Sequence, residues 1–178
     1  KHGQPVVYDW GRGAWEDRRS VAGLPPEALV RGSVEAGADV VTFSGDKRLG
    51  GPQAGIAVGK AATIEKMRKH PLMRAVRPDK LAFAALSATL RAYLTGTYKT
   101  ELPVWRMLGR SVEELQAWLQ LVLDAITPVA KSCEFTVSIQ PSTSYAGGGS
   151  LPEEELPSCA LVLAGPQSRL KTLQTRLR

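Results

Sequence analysis

The chain has 178 residues, 43% of them hydrophobic and 22% charged, and carries a formal net charge of +6. That length suits one sizeable domain or two small ones, and the balance is that of an ordinary globular protein rather than a disordered or fibrous one. No apolar run nears the ~20 residues of a membrane-spanning helix and no leader is visible, so the expected compartment is the cytoplasm, while Cys133 and Cys159, far apart and without a CxxC pair or a histidine cluster, exclude a zinc site and a disulfide framework.

PVVYD (5–9) reads as a short buried strand ending on a carboxylate, Asp9. A glycine- and proline-bearing loop follows, and Pro25 and Pro26 open a helix expected to end near Gly37. ADVVTF (38–43) is a second buried strand, so strand, helix and strand form a βαβ unit with parallel pairing and a right-handed crossover. After a glycine-rich turn, AGIAVG (54–59) is a third strand whose direction the sequence leaves open. KAATIEKMRKH is a basic helix halted by Pro71, and Pro78 opens a longer Ala- and Leu-rich helix, apolar around much of its circumference and therefore expected to be buried. Near Gly109 the composition shifts. Ser111 and Glu114 have the spacing of a capping box, and Leu115, Trp118, Leu119, Val122 and Ile126 recur as one helical stripe. EFTVSI (134–139) is a half-buried strand, 140–158 a long loop containing GGGS at 147–150, and CALVLAG (159–165) a buried strand before a final helix. Trp105, Trp118, Phe83 and Tyr93 are assigned to packing, Met67, Met73 and Met107 to gap-filling in the core, and His70 to a loop or cap. The chain starts on Lys1 and stops within a helical run at Arg178, so a piece of a larger protein is expected.

Two features carry chemistry. Lys66, Arg68, Lys69, Arg74, Arg77 and Lys80, with His70, lie in one short segment against a single acid, Asp79. It is either a solvated helix face or a surface for phosphates. The second is Lys47, beside Asp46 and ahead of Gly50-Gly51-Pro52, at the end of a buried strand. A Walker loop is excluded, because Gly59-Lys60 is followed by Ala61 and Ala54 stands where the first glycine belongs. Two readings stay open: a lysine in a surface turn, or an amine placed for Schiff-base chemistry with pyridoxal phosphate (PLP). The second needs a carboxylate to keep the pyridine nitrogen protonated. Asp9 is the candidate, since parallel neighbours bring their strand ends to one sheet edge, where ligands of open α/β sheets bind.

FSGDKRLGGPQAGIAVG, HPLMRAVRPDK and GGGSLPEEELPS together resemble the bacterial selenocysteine synthases, the L-seryl-tRNA(Sec) selenium transferases, over essentially the whole chain. The resemblance implies a fold-type-I, aminotransferase-like α/β scaffold. Residues 1–60 would be the end of the PLP-binding large domain, 61–108 connecting helices with the basic anion-binding segment, and 109–178 an incomplete small α+β domain. It implies Lys47 as the Schiff-base lysine, Asp9 as the partner of the pyridine nitrogen, Asp46 near the active centre, and Arg74 and Arg77 as holders of selenophosphate. It also implies seryl-tRNA(Sec) as substrate, β-elimination through an aminoacryloyl intermediate followed by selenium addition, and a homo-oligomer in the full-length protein. The proton transfers would call for a buried Lys47.

Two departures stand out. Arg48 follows the lysine where the family usually has an apolar residue, and DWGRG replaces the commoner DLGSG. They leave room for a related PLP lyase acting on a small amino compound, phosphorylated or not, and a non-catalytic piece is the third alternative.

Overall fold

Val7–Gly11 (β1) and Val40–Ser44 (β2) run side by side and parallel in the computed structural model, with Asp9 opposite Thr42. Gly55–Gly59 (β3) completes the sheet on the other side of β2, in the order β1-β2-β3, and is antiparallel to it. The turn between β2 and β3 contains no crossover helix, so the chain can only double back. The result is an α/β unit with a mixed sheet. The structure describes residues 3–11, 14–16, 29–145 and 155–177, and the chain divides into two units, Lys1–Gly109 and Arg110–Arg178.

In the first unit, Val30–Glu35 (α1) leads into β2, and Gly37, at φ 97°, lets the chain turn out of the helix. The expected start of this helix at Pro25 and Pro26 lies outside the described residues. Alternation along β2 separates two faces. Val41 and Phe43 enter a core with Val30, Ala38 and Leu49, against which Trp10, Ile56, Leu86, Leu90 and Tyr93 pack. Thr42 and Ser44, on the opposite face, are only half-buried. One edge is clipped by Asp39, which accepts hydrogen bonds from Lys60 Nζ (2.7 Å) and from the Val6 backbone N–H (2.7 Å). These bonds hold its carboxyl below the usual carboxylate range.

Beyond β3 come Ala61–Lys69 (α2), Leu72–Ala75 (α3), Lys80–Thr95 (α4), Tyr98–Glu101 (α5) and Pro103–Leu108 (α6). Asp79 caps α4 by accepting from the Ala82 N–H (2.7 Å), and Gly96, at φ 74°, ends it. Several expectations need correction here. β1 is exposed rather than buried, Val7 by 61%, because it is an edge strand with no outer neighbour among the described residues. α4 packs through one stripe, Leu86, Thr89, Leu90, Ala92 and Tyr93, while Leu81 and Leu94 are 80% and 89% exposed and Phe83 is exposed too. Met73 and Met107 are likewise surface residues, not core fillers.

The second unit consists of Val112–Ser132 (α7), a two-stranded antiparallel sheet of Thr136–Tyr145 (β4) and Glu155–Ala164 (β5), and Gln167–Arg176 (α8). Ser111 and Glu114 form the reciprocal capping box that starts α7. The two strands are longer than expected and take up much of the segment read as a loop. Pro141 and Pro157 lie within them, which a two-stranded ribbon tolerates, because each strand is an edge where an outward-turned N–H has no ladder partner to lose. Trp118 is exposed rather than packed, and the GGGS motif at 147–150 lies outside the described residues.

Candidate active site

The turn that leaves β2 is built from backbone hydrogen bonds. The Gly45 N–H donates to the carbonyl of Ala54 (2.8 Å), that of Gly51 to the carbonyl of Gly45 (2.8 Å), and that of Gly50 to the carbonyl of Lys47 (3.0 Å). Leu49 points inward and is fully buried, while Asp46 and Lys47 point outward and are exposed. A cβ at Gly45 would lie 2.7 Å from the carbonyl oxygen of Pro52, so the two arms of the turn approach this closely only because residue 45 has no side chain.

Lys47 and Asp46 form one wall of a cleft of about 650 Å³, with Ser44 at the end of β2 behind them. Gln53 and Gly55 contribute from the far arm of the turn, and Val76, Pro78 and Asp79 from the segment entering α4. The size is within the range of small-molecule sites, roughly 300–1,000 Å³. Burial of the amine, which the expected proton transfers call for, is not supplied by the described residues.

Asp9 does not line this cleft, but it belongs to the same sheet face. Its Oδ1 accepts from the Thr42 hydroxyl (3.0 Å) and from the Gly11 N–H (3.1 Å), and its Oδ2 accepts no hydrogen bond among the described residues. Thr42 and Ser44 project from one side of β2 about 7 Å apart, two strand residues at ~3.3 Å each. The Asp9 carboxylate is thus tied to the face, one row behind the Ser44 end that opens into the cleft.

The basic segment is divided. On α2, Glu65 pairs with Arg68 (2.9 Å) and Lys69 (3.2 Å), and these bonds, Arg68 first, hold its carboxyl below the usual range. Arg74 and Arg77 are exposed, make no ion pair among the described residues and do not themselves line the cleft, although their neighbours Val76 and Pro78 do. Sequence reasoning passed over Ser44, Gln53 and Asp79. Asp79 is legible as a helix cap ahead of an apolar run, but its place in the lining of the Lys47 cleft depends on the direction of the bend between α3 and α4, which Pro78 marks without fixing. Among the described residues no cluster of three His, Cys, Asp or Glu side chains could hold a metal, and no helix is long and apolar enough to cross a membrane.

The model of the family described as L-seryl-tRNA selenium transferase (SelA) matches residues 1–178. Proteins of Escherichia coli, Klebsiella pneumoniae and Escherichia fergusonii, each named L-seryl-tRNA(Sec) selenium transferase, are 46% identical to it over 178 residues, covering 98% of this chain. The chain spans 38% of the length of these relatives.

Proposed function

Since this chain belongs to the L-seryl-tRNA selenium transferase family, we propose that the protein carrying it converts seryl-tRNA(Sec) to selenocysteinyl-tRNA(Sec), with PLP as cofactor and selenophosphate as selenium donor. The observation that carries this reading is the shared sheet face, with Asp9 tied to it by Thr42 and Lys47 on the wall of the cleft at its end. The residues fit the cofactor: an exposed primary amine faces a cleft large enough for it, and among the described residues nothing occupies the second carboxylate oxygen of Asp9, leaving it for a ring N–H. The fold-type-I scaffold is part of the same proposal. It is supported by a parallel β1–β2 pair in which β1 has no outer neighbour among the described residues.

Lys47 would hold the cofactor covalently, and Asp9 would face its ring nitrogen. When bound, PLP supplies an electron sink for the negative charge that appears at the substrate Cα as its proton leaves. Lys47 is the base that takes that proton, and afterwards the acid that returns it. Asp9, anchored through one oxygen, keeps the other in place without reorganising, which is how a preorganised charge acts most strongly. Asp46 borders the reacting centre. Arg74 and Arg77 present guanidinium forks suited to the oxyanions of selenophosphate. In the net change, selenium takes the hydroxyl's place at Cβ: the water that leaves the serine side chain is balanced by one consumed as the Se–P bond breaks, and the selenophosphate's phosphorus leaves as phosphate. A homo-oligomer and a cytoplasmic location complete the proposal.

Turnover of the full-length protein tests it. Selenium incorporation is expected with seryl-tRNA(Sec) and none with free serine or phosphoserine; equal turnover of the small amino compounds would favour a PLP lyase instead. Asp9→Asn is expected to retain cofactor but to lower kcat by about 10–100-fold, the worth of one charge-assisted hydrogen bond. Cofactor absorbance, followed with kcat, checks that the loss is not one of binding.

A further inference from the structure

Tyr93, on α4, reaches the inner side of the turn that bears Lys47. Its hydroxyl donates to the carbonyl oxygen of Leu49 (2.9 Å) and accepts from the indole Nε1–H of Trp105 on α6 (2.7 Å). An indole nitrogen can only donate and a carbonyl can only accept, so the direction of this chain of hydrogen bonds is fixed. Tyr98, on α5, stacks on the Tyr93 ring (centroids 5.0 Å apart, 16° between planes) and meets Trp105 edge-on (5.1 Å, 76°). The two rings therefore cannot swing away without breaking an aromatic cluster. Burial pushes the Tyr93 phenol up to about 12, so it stays a donor across the working pH range.

The turn needs an outside restraint. Glycines at 45, 50 and 51 give the turn no side-chain anchors at these positions, and its own hydrogen bonds close only short loops. Leu49 and Trp105 are buried, so deleting the Tyr93 hydroxyl would leave a carbonyl and an indole N–H unmatched away from water. We infer that Tyr93, set by Trp105, is a positioning residue for Lys47, fixing through the Leu49 carbonyl the backbone from which the amine extends. This rests on the reading of Lys47 as the cofactor lysine. An amine on four rotatable bonds reaches a reactive carbon reproducibly only if its own Cα is held, and misplacement by about 1 Å can cost on the order of 10²-fold in rate.

Tyr93→Phe in the full-length protein keeps the stacked ring and removes only the hydroxyl. In cofactor-free protein, hydrogen exchange at the Gly50 and Gly51 amides is expected to quicken by about tenfold, with the β2 strand amides unchanged. In the PLP-loaded protein, the pH midpoint of the absorbance of Lys47-bound cofactor is expected to shift. Trp105→Phe, which leaves the bond between Tyr93 and Leu49 in place, should give the same changes at smaller size. Unchanged exchange at Gly50 and Gly51, exchange quickened evenly through β2, or an unmoved midpoint would each overturn the inference. Parent protein that takes up PLP without using Lys47 would overturn the reading of that lysine instead, and the exchange measurement would still decide whether Tyr93 holds the turn.

Discussion

Lys47→Ala is expected to abolish the absorbance of covalently held PLP and to lower selenium incorporation by at least roughly 10²–10⁴-fold, the contribution of a positioned proton-transfer group alone. The structure makes this a clean experiment. The Lys47 side chain is exposed and makes no hydrogen bond or ion pair among the described residues, and its carbonyl, which accepts from the Gly50 N–H, survives the substitution. Truncation should therefore leave the unfolding midpoint nearly unchanged, because exposed positions without partners contribute within about 0.5 kcal/mol. Lys47→Arg separates charge from chemistry. A guanidinium keeps the positive charge in the cleft but does not give up its proton, so it can neither capture the cofactor nor act as a base. Both variants should be equally inactive. Activity retained in the arginine variant, or an unaltered spectrum in the alanine variant, would return Lys47 to the status of a lysine in a surface turn.

Much of the local order is legible in the sequence because short-range chemistry dictates it. The β-branched run before Phe43 reads as a buried strand, and Val40, Val41 and Phe43 are buried. Ser111 and Glu114 announce a capping box that forms as the spacing requires. What stayed open or was misread depends on contacts between elements. The direction of β3 follows from the path of the turn, and the exposure of Leu81 and Leu94 from which stripe of α4 meets the sheet. Asp79 reaches the cleft through the bend ahead of α4. Tyr93 shows the limit most clearly: its apolar neighbours justify a packing role, and its ring does pack. The carbonyl its hydroxyl finds is 44 residues away in sequence, and no periodicity reports a partner at that distance.

Gly50→Ala should be among the most destabilising single-methyl additions at the described glycines, by about 2–5 kcal/mol. Two separable effects contribute. The backbone at residue 50 has φ 74°, where an L side chain is strained by about 1–2 kcal/mol. The added methyl would also lie 2.5 Å from Cγ1 of Val104, with Leu102 behind it at 3.8 Å. Val104 cannot simply yield, since a β-branched side chain has few rotamers, and overpacking of this kind costs about 1–3 kcal/mol. The double variant Gly50→Ala/Val104→Ala removes the collision and keeps the backbone strain, so it should recover the packing part relative to Val104→Ala alone and retain a deficit of about 1–2 kcal/mol. Gly32→Ala is the internal control: it lies in α1, nothing is within 4 Å of its added methyl, and the change should be neutral to stabilising by up to about 1 kcal/mol. Urea unfolding of the four variants and the parent, with unchanged slopes, measures each of these differences. Because the Gly50 N–H holds the Lys47 carbonyl, whatever strain the alanine introduces is delivered to the turn that carries the amine. Cofactor capture should therefore slow in Gly50→Ala and stay at the parent rate in Gly32→Ala, a contrast that a general loss of stability would not produce.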